Sequence, residues 1–157
     1  MSVVLYRIDD RLIHGQVMTG WSRLYDAQRI IVVDNETAEN SFLRQVMEMS
    51  VPRGMDVKIL NEEEGMKPVL SDSEEMKTIV LTKTPQAMKK LLDAGADMKQ
   101  LNVGGMGYVA GRKRVLRNIQ MSSEELDILN KIAEKGVEVF CQIVPDGKRI
   151  ELSKVKL

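Results

Sequence analysis

Histidine occurs once in the chain, at position 14, inside a segment crowded with groups that can handle an anion: Arg7-Ile8-Asp9-Asp10-Arg11-Leu12-Ile13-His14-Gly15-Gln16. Ligand sites in open α/β sheets lie beyond the carboxyl ends of strands, which is where this loop falls if Val3–Ile8 is a strand. At the N-terminus of a following helix the dipole disfavours imidazolium and favours an arriving anion. Both effects suit a neutral imidazole that attacks phosphorus and then carries a phosphoryl group. Arg11, three residues earlier, offers planar donors to phosphoryl oxygens. Asp9 or Asp10 can orient the ring or hold Arg11, and Gly15 leaves space beside the imidazole. Phosphoryl transfer asks little covalent work of a protein, so positioning and charge supply most of the catalysis. The same residues also admit a blander reading. His14, Val17, Trp21 and Leu24 follow 3-4-3 spacing, which fits the buried face of a longer helix, with Asp9, Asp10 and Arg11 as turn and salt-bridge residues.

Other segments carry weaker signals. Asn102–Gly107 follows an expected strand, and Gly104, Gly105 and Gly107 let backbone N–H groups approach an anion; a tight turn explains them equally. Lys83-Thr84-Pro85 places a hydroxyl at a strand end and a helix start, where phosphate binding competes with simple capping by Thr84. Arg112, Lys113, Arg114 and Arg117 form the densest basic cluster, either a solvated edge or a docking patch for an acidic protein surface. Cys141, the one cysteine, lies in the apolar run Val137–Val144 and reads as a small buried hydrophobe. With no Cys or His cluster, no metal site or cofactor is expected.

The elements that must position these groups alternate along the chain. Expected strands are Val3–Ile8, Arg29–Val33, Asp56–Leu60, Thr78–Thr82, Gln100–Val103 and Val137–Val144. Expected helices are Gly15–Tyr25, Ala38–Ser50, Glu62–Ser71, Thr84–Ala94 and Ser122–Lys135. Pro85 suits the first turn of its helix, Ser122 with Glu125 fits a capping box, and Gly95 and Gly136 suit left-handed terminating positions. Pro145-Asp146-Gly147 is a turn that lets Arg149–Leu152 return antiparallel to Val137–Val144. Tyr108–Gln120 reads as a loop with an edge strand around Arg114–Ile119. The expected fold is α/β: one domain over residues 1–157, an open, mainly parallel sheet with helices on both faces and an antiparallel C-terminal edge strand.

Composition narrows the function classes. Basic and acidic residues balance at 23 each, and aromatic residues are only 4% of the 157, which argues against a nucleic-acid binder. The balance hides an asymmetry: residues 1–30, 31–78 and 79–157 carry +1, −6 and +5. Such poles favour docking on a charged protein partner. No apolar run approaches membrane-spanning length and the N-terminus lacks signal-peptide character, so a cytoplasmic protein is expected.

The segment Arg7–Val17 resembles the active-site motif of the IIB subunits of the bacterial phosphoenolpyruvate-dependent sugar phosphotransferase system, in the mannose/fructose/sorbose family. Ile31-Val32-Val33-Asp34-Asn35, Lys83-Thr84-Pro85, Asn102-Val103-Gly104-Gly105-Met106 and Gly136-Val137-Glu138 match further landmarks, and the similarity spans nearly the whole chain. The resemblance implies a phosphocarrier and sugar phosphotransferase without a cofactor. His14 would take a phosphoryl group, at Nδ1, from a phosphohistidine of a IIA subunit. It would pass that group to a sugar moved by membrane subunits IIC and IID, at the inner face of the membrane. Arg11 matches the phosphoryl-stabilising arginine; Asp10 for orientation and Gly15, Thr84, Gly104 and Gly105 for phosphate binding are weaker assignments. The rivals are a receiver domain, in which Asp9 and Asp10 would help hold Mg²⁺, and a non-catalytic anion-binding module. Against the receiver, Thr78–Thr82 runs into Lys83 with no acceptor aspartate.

Overall fold

Runs of β-branched residues about five long, each followed by an amphipathic stretch, generate alternating strands and helices in the computed structural model, which describes residues 2–70 and 75–157. In chain order these are β1 (Ser2–Asp9), α1 (Gly15–Tyr25), β2 (Arg29–Val33), α2 (Asn35–Glu39), α3 (Ser41–Ser50), β3 (Asp56–Leu60), α4 (Glu62–Leu70) and β4 (Lys77–Thr82). They continue as α5 (Pro85–Asp93), β5 (Gln100–Gly105), β6 (Lys113–Leu116), β7 (Ile119–Met121), α6 (Ser123–Glu134), β8 (Glu138–Cys141) and β9 (Ile150–Glu151), closed by a 3₁₀ turn over Leu152–Lys154. Seven strands form one sheet in the order β3-β2-β4-β1-β5-β8-β9. Every pairing in it is parallel except β8 with β9, the expected antiparallel edge.

Side-chain alternation divides the core into two layers. Ile30, Val32, Ile79 and Leu81 join Met18 and Trp21 of α1 on one face; Ile31, Val33 and Val80 join Met88 and Leu91 of α5 and Leu129 and Ile132 of α6 on the other. β1 thus sends its helix to one face, while its neighbours β4 and β5 send theirs to the opposite face. The loops diverge at the carboxyl end of β1, which is where such sheets place ligands. No helix among the described residues is long and apolar enough to cross a membrane.

Local boundary chemistry is as expected. Ala87 N–H donates to Thr84 Oγ1 at 3.2 Å, with Pro85 opening α5. Ser122 and Glu125 form a reciprocal capping box, and Gly95 and Gly136 adopt φ of 111° and 91°. Three expectations need correction, and one falls partly outside the described residues. Ala38–Ser50 is two helices, because Asn40 leaves helical geometry and its Oδ1 caps α3 by accepting from Phe42 and Leu43 N–H. The strand expected over Val137–Val144 ends at Cys141, because the next two carbonyls, of Gln142 and Ile143, turn to serve Arg7. The edge strand expected around Arg114–Ile119 is a separate hairpin, β6–β7, whose two-residue loop puts Asn118 at φ 65°, a conformation asparagine tolerates. The last residue of the expected helix Glu62–Ser71 lies outside the described residues.

Candidate active site

β1 builds the site by alternation. Arg7 and Asp9, two apart, point to the face covered by α1, and both are fully buried. Arg7 Nη2 donates to Asp9 Oδ2 at 3.0 Å and to the Ile143 carbonyl at 3.1 Å. Its Nη1 donates to the Asn102 side chain and to the Gln142 carbonyl. The guanidinium lies 5.3 Å from the Trp21 ring centroid, and Trp21 Nε1 donates to the same Ile143 carbonyl at 2.9 Å. Burial pushes Arg7 down to about 10, with the Asp9 charge pulling the other way. Burial alone would raise the Asp9 carboxyl, but hydrogen bonding from His14 and the charge of Arg7 hold it well below the usual carboxylate range. Asp9 is therefore a permanent anion in a buried, cation-lined setting.

The loop from Asp9 to His14 is held by a turn and two apolar anchors. Leu12 N–H donates to the Asp9 carbonyl at 2.9 Å, and Leu12 takes φ of 56°. A left-handed leucine costs about 1–2 kcal/mol, which burial of its side chain offsets at about 2–3 kcal/mol. Leu12 and Ile13 are 0% and 2% exposed in the α1-side layer. The following residue, His14, is thereby delivered to the N-cap of α1 with an extended backbone and no capping bond from its side chain. Gly15 adopts φ of 35° with open space where a Cβ would stand.

His14 Nε2 lies 2.8 Å from Asp9 Oδ2. The ring is 22% exposed, while Leu24, which the 3-4-3 spacing placed on the same face, is 58% exposed. His14 thus stands at the N-cap of α1 instead of lying within a longer helix, while Asp9 and Arg11 form the salt bridge that the blander reading allowed. Arg11 lies beside the pair: its backbone N–H and Nε donate to Asp9 Oδ1 at 3.0 and 3.3 Å, and its side chain is 42% exposed. Because an ionised carboxylate only accepts, the hydrogen between His14 and Asp9 belongs to Nε2. In neutral imidazole that leaves the lone pair on Nδ1, a nucleophile on a partly exposed ring at a helix N-terminus.

The remaining sequence candidates separate. The structure brings Asp9, not Asp10, to the ring; Asp10 Oδ2 instead accepts from Gly107 N–H at 2.6 Å, so orientation by Asp10 is corrected. Gly104 and Gly105 are buried beneath the network rather than lining its rim. A Cβ on Gly104 would stand 1.9 Å from Arg7 Cζ, and one on Gly105 would stand 2.6 Å from Asp9 Oδ1. They are glycines because those side chains occupy the space. Thr84 uses its hydroxyl as the α5 cap and makes no hydrogen bond with His14 among the described residues. Lys83 pairs with Asp34 and Glu36. The basic cluster divides: Lys113, Arg114 and Arg117 are exposed, while Arg112 turns inward onto Glu125. Cys141 is fully buried, which pushes its thiol up to about 12. The receiver alternative loses its cation site, since Asp9 already faces Arg7, Arg11 and His14.

Sequence reasoning missed Arg7, Asn102 and Gln142. For Arg7 a signal existed: two opposite charges two residues apart in an otherwise apolar strand share one face. Asn102 lay in a segment singled out for its glycines, not for its own side chain, and Gln142 carried no local signal.

Residues 3–156 match the family described as PTS system sorbose subfamily IIB component. The N-acetylgalactosamine-specific phosphotransferase enzyme IIB component 1 of Escherichia coli is 29% identical over 152 residues, 96% of each chain. The crystal structure of manxB from Thermoanaerobacter tengcongensis superposes with a TM-score of 0.92 at 33% identity, over 98% of this chain and 94% of that one. The mannose-specific EIIAB component of Escherichia coli is 26% identical over 153 residues, which span 47% of its length.

Proposed function

The chain belongs to the sorbose subfamily of IIB components of the sugar phosphotransferase system, phosphocarriers of sugar uptake, and from that premise we propose that His14 carries the phosphoryl group on Nδ1. The observation that supports this reading is the 2.8 Å separation of His14 Nε2 from Asp9 Oδ2. It occupies one ring nitrogen as a donor and leaves the other as the nucleophile. In acceptance, the Nδ1 lone pair bonds to phosphorus while the donor's P–N bond breaks and returns its electron pair to the donor imidazole. The receiving ring becomes cationic, and its Nε2–H stays against the Asp9 carboxylate, which stabilises that charge. Arg11, with much of its guanidinium exposed, meets the phosphoryl oxygens. The free N–H groups of the first turn of α1 face the same anion. Onward transfer breaks the Nδ1–P bond, whose electron pair returns to the His14 ring, as a sugar hydroxyl oxygen bonds to phosphorus and gives up its proton to a base at the sugar's own site.

The donor in this reading is a phosphohistidine of a IIA unit, the part whose letter accompanies IIB in the name of the EIIAB relative. The acceptor is a sugar held by IIC and IID at the inner face of the membrane, and residues 1–157 act as one IIB domain. The test is phosphorylation by a reconstituted phosphoenolpyruvate relay, with the label located by mass spectrometry in alkali and its nitrogen assigned by ¹⁵N NMR. The expected result is one acid-labile label, on Nδ1 of His14, absent from a folded His14→Ala variant. A hydroxylamine-labile label, or uptake by that variant, refutes the reading.

A further inference from the structure

We infer that Arg112 is a positioning residue for phosphoryl transfer, the central link of a clasp that ties the start of α6 to the loop carrying His14. Arg112 Nε and Nη2 donate to the two oxygens of Glu125 at 2.9 and 2.7 Å, a bidentate fork. Its Nη1 donates to the Gly107 carbonyl at 2.6 Å. Gly107 N–H donates in turn to Asp10 Oδ2, also at 2.6 Å. Asp10 stands in the chain between Asp9, which holds the ring at Nε2, and Arg11, which lies beside that pair. Its own N–H is anchored on the Gly105 carbonyl at 3.0 Å.

The far end of the clasp is rigid. Glu125 Oε1 also accepts from Ser122 N–H at 2.9 Å as half of the α6 capping box. Burial opposes the Glu125 charge, but the Arg112 hydrogen bonds and the Ser122 N–H outweigh it and keep the carboxyl below its usual range. Both side chains are about one-tenth exposed, at 12% and 9%. The pair is therefore little screened, and each partner would be costly to strand. Lysine cannot replace this arginine in kind. Three acceptors in two directions require a planar fork, and an ammonium on a flexible stem reaches one group at a time.

Displacing Gly107 displaces Asp10, and with it the backbone that sets Asp9 and Arg11 against His14. A misplacement of about 1 Å at a reacting centre costs on the order of 10²-fold in rate. The inference rests on His14 as the phosphoryl carrier, and its test separates the two. Arg112→Lys keeps the charge without the fork. Arg112→Met/Glu125→Gln removes both charges while the glutamine retains the capping box, so no buried charge is stranded if Arg112→Lys unfolds. Transfer from phosphorylated IIA is followed at varied donor concentration, with the His14 ring ¹⁵N shifts recorded in each variant. The expected result is a 10- to 100-fold fall in maximal rate, little change in the donor KM, and shifted ring resonances. A raised KM with unchanged maximal rate makes Arg112 a docking cation and overturns the inference, as do wild-type kinetics in a folded variant. Uptake by His14→Ala would overturn the underlying reading instead.

Discussion

Replacing Asp9 by asparagine separates orientation from charge at the centre of the site. Arg7 must keep an acceptor, because its guanidinium is fully buried and Asp9 is its only ionised partner among the described residues. The amide oxygen therefore takes the place of Oδ2, which faces both Arg7 Nη2 and His14 Nε2, and the NH₂ takes the place of Oδ1, against the N–H and Nε of Arg11. The ring keeps its hydrogen on Nε2, but the charge that stabilises the cationic ring is lost and the Arg11 donors face a donor. Removing one preorganised electrostatic contact at a reacting centre costs about 10²–10³ in rate. We expect a fall of about 10²- to 10³-fold in phosphoryl uptake, since no second histidine exists.

Stability should fall as well. Leaving a buried charge without its partner costs about 3–5 kcal/mol, and the amide oxygen recovers part of that. A loss of about 3 kcal/mol lowers the melting temperature by roughly 6–12 °C in a domain of this size. The sign with pH follows from the depressed carboxyl of Asp9. Its contribution is fully present above the unfolded value of about 3.9 and is lost as pH falls toward the folded value. The gap in melting temperature between wild type and Asp9→Asn should therefore be widest near neutrality and narrow below about pH 4. The assays are relay phosphorylation, ¹⁵N tautomer assignment of His14, and thermal melts against pH. Wild-type uptake by a folded Asp9→Asn protein, or a ring that moves its hydrogen to Nδ1, would refute the reasoning.

Arg11→Lys should slow transfer, and Arg11→Ala should slow it further because charge and planar geometry are both lost; equal rates in Arg11→Ala would remove it from the site. Gly104→Ala puts a methyl 1.9 Å from Arg7 Cζ, so the guanidinium must leave Asp9 and Asn102, and a melting temperature within a few degrees of wild type would contradict that steric account. Reversing Lys113, Arg114 and Arg117 to glutamate should slow transfer from IIA and flatten its dependence on salt, read in stopped-flow at varied ionic strength; an unchanged slope makes the hairpin a solvated edge. Cys141 should resist alkylation in the folded protein at pH 8 and react once denaturant exposes it.

Much of the architecture was legible in the residues because it depends on short-range chemistry. The unbroken apolar run Ile30-Ile31-Val32-Val33 marks a strand buried on both faces. Thr84-Pro85 and Ser122 with Glu125 mark helix starts, and the terminating glycines act within one turn of the chain. The misread boundaries have local causes of a subtler kind. Asn40 both ends one helix and caps the next, which periodicity alone reads as continuous. The place of the Asp9–His14 segment was also legible, since a strand end followed by a glycine and a helix start puts its charged groups at the carboxyl end of β1.

What the sequence by itself determined is the set of groups at the carboxyl end of β1 and the fold that brings them there. The tertiary structure alone decided the partner of each group. Asp9 meets the ring while Asp10 meets Gly107, 97 residues away. Gly104 and Gly105 make room for Arg7 and Asp9 instead of cradling an anion, and Arg112 serves the clasp instead of the surface. The physical reason is distance along the chain. Caps and periodicities act within a few residues, whereas the charge state of Asp9, the tautomer of His14 and the space above each glycine are set by side chains that only the folded sheet brings into contact.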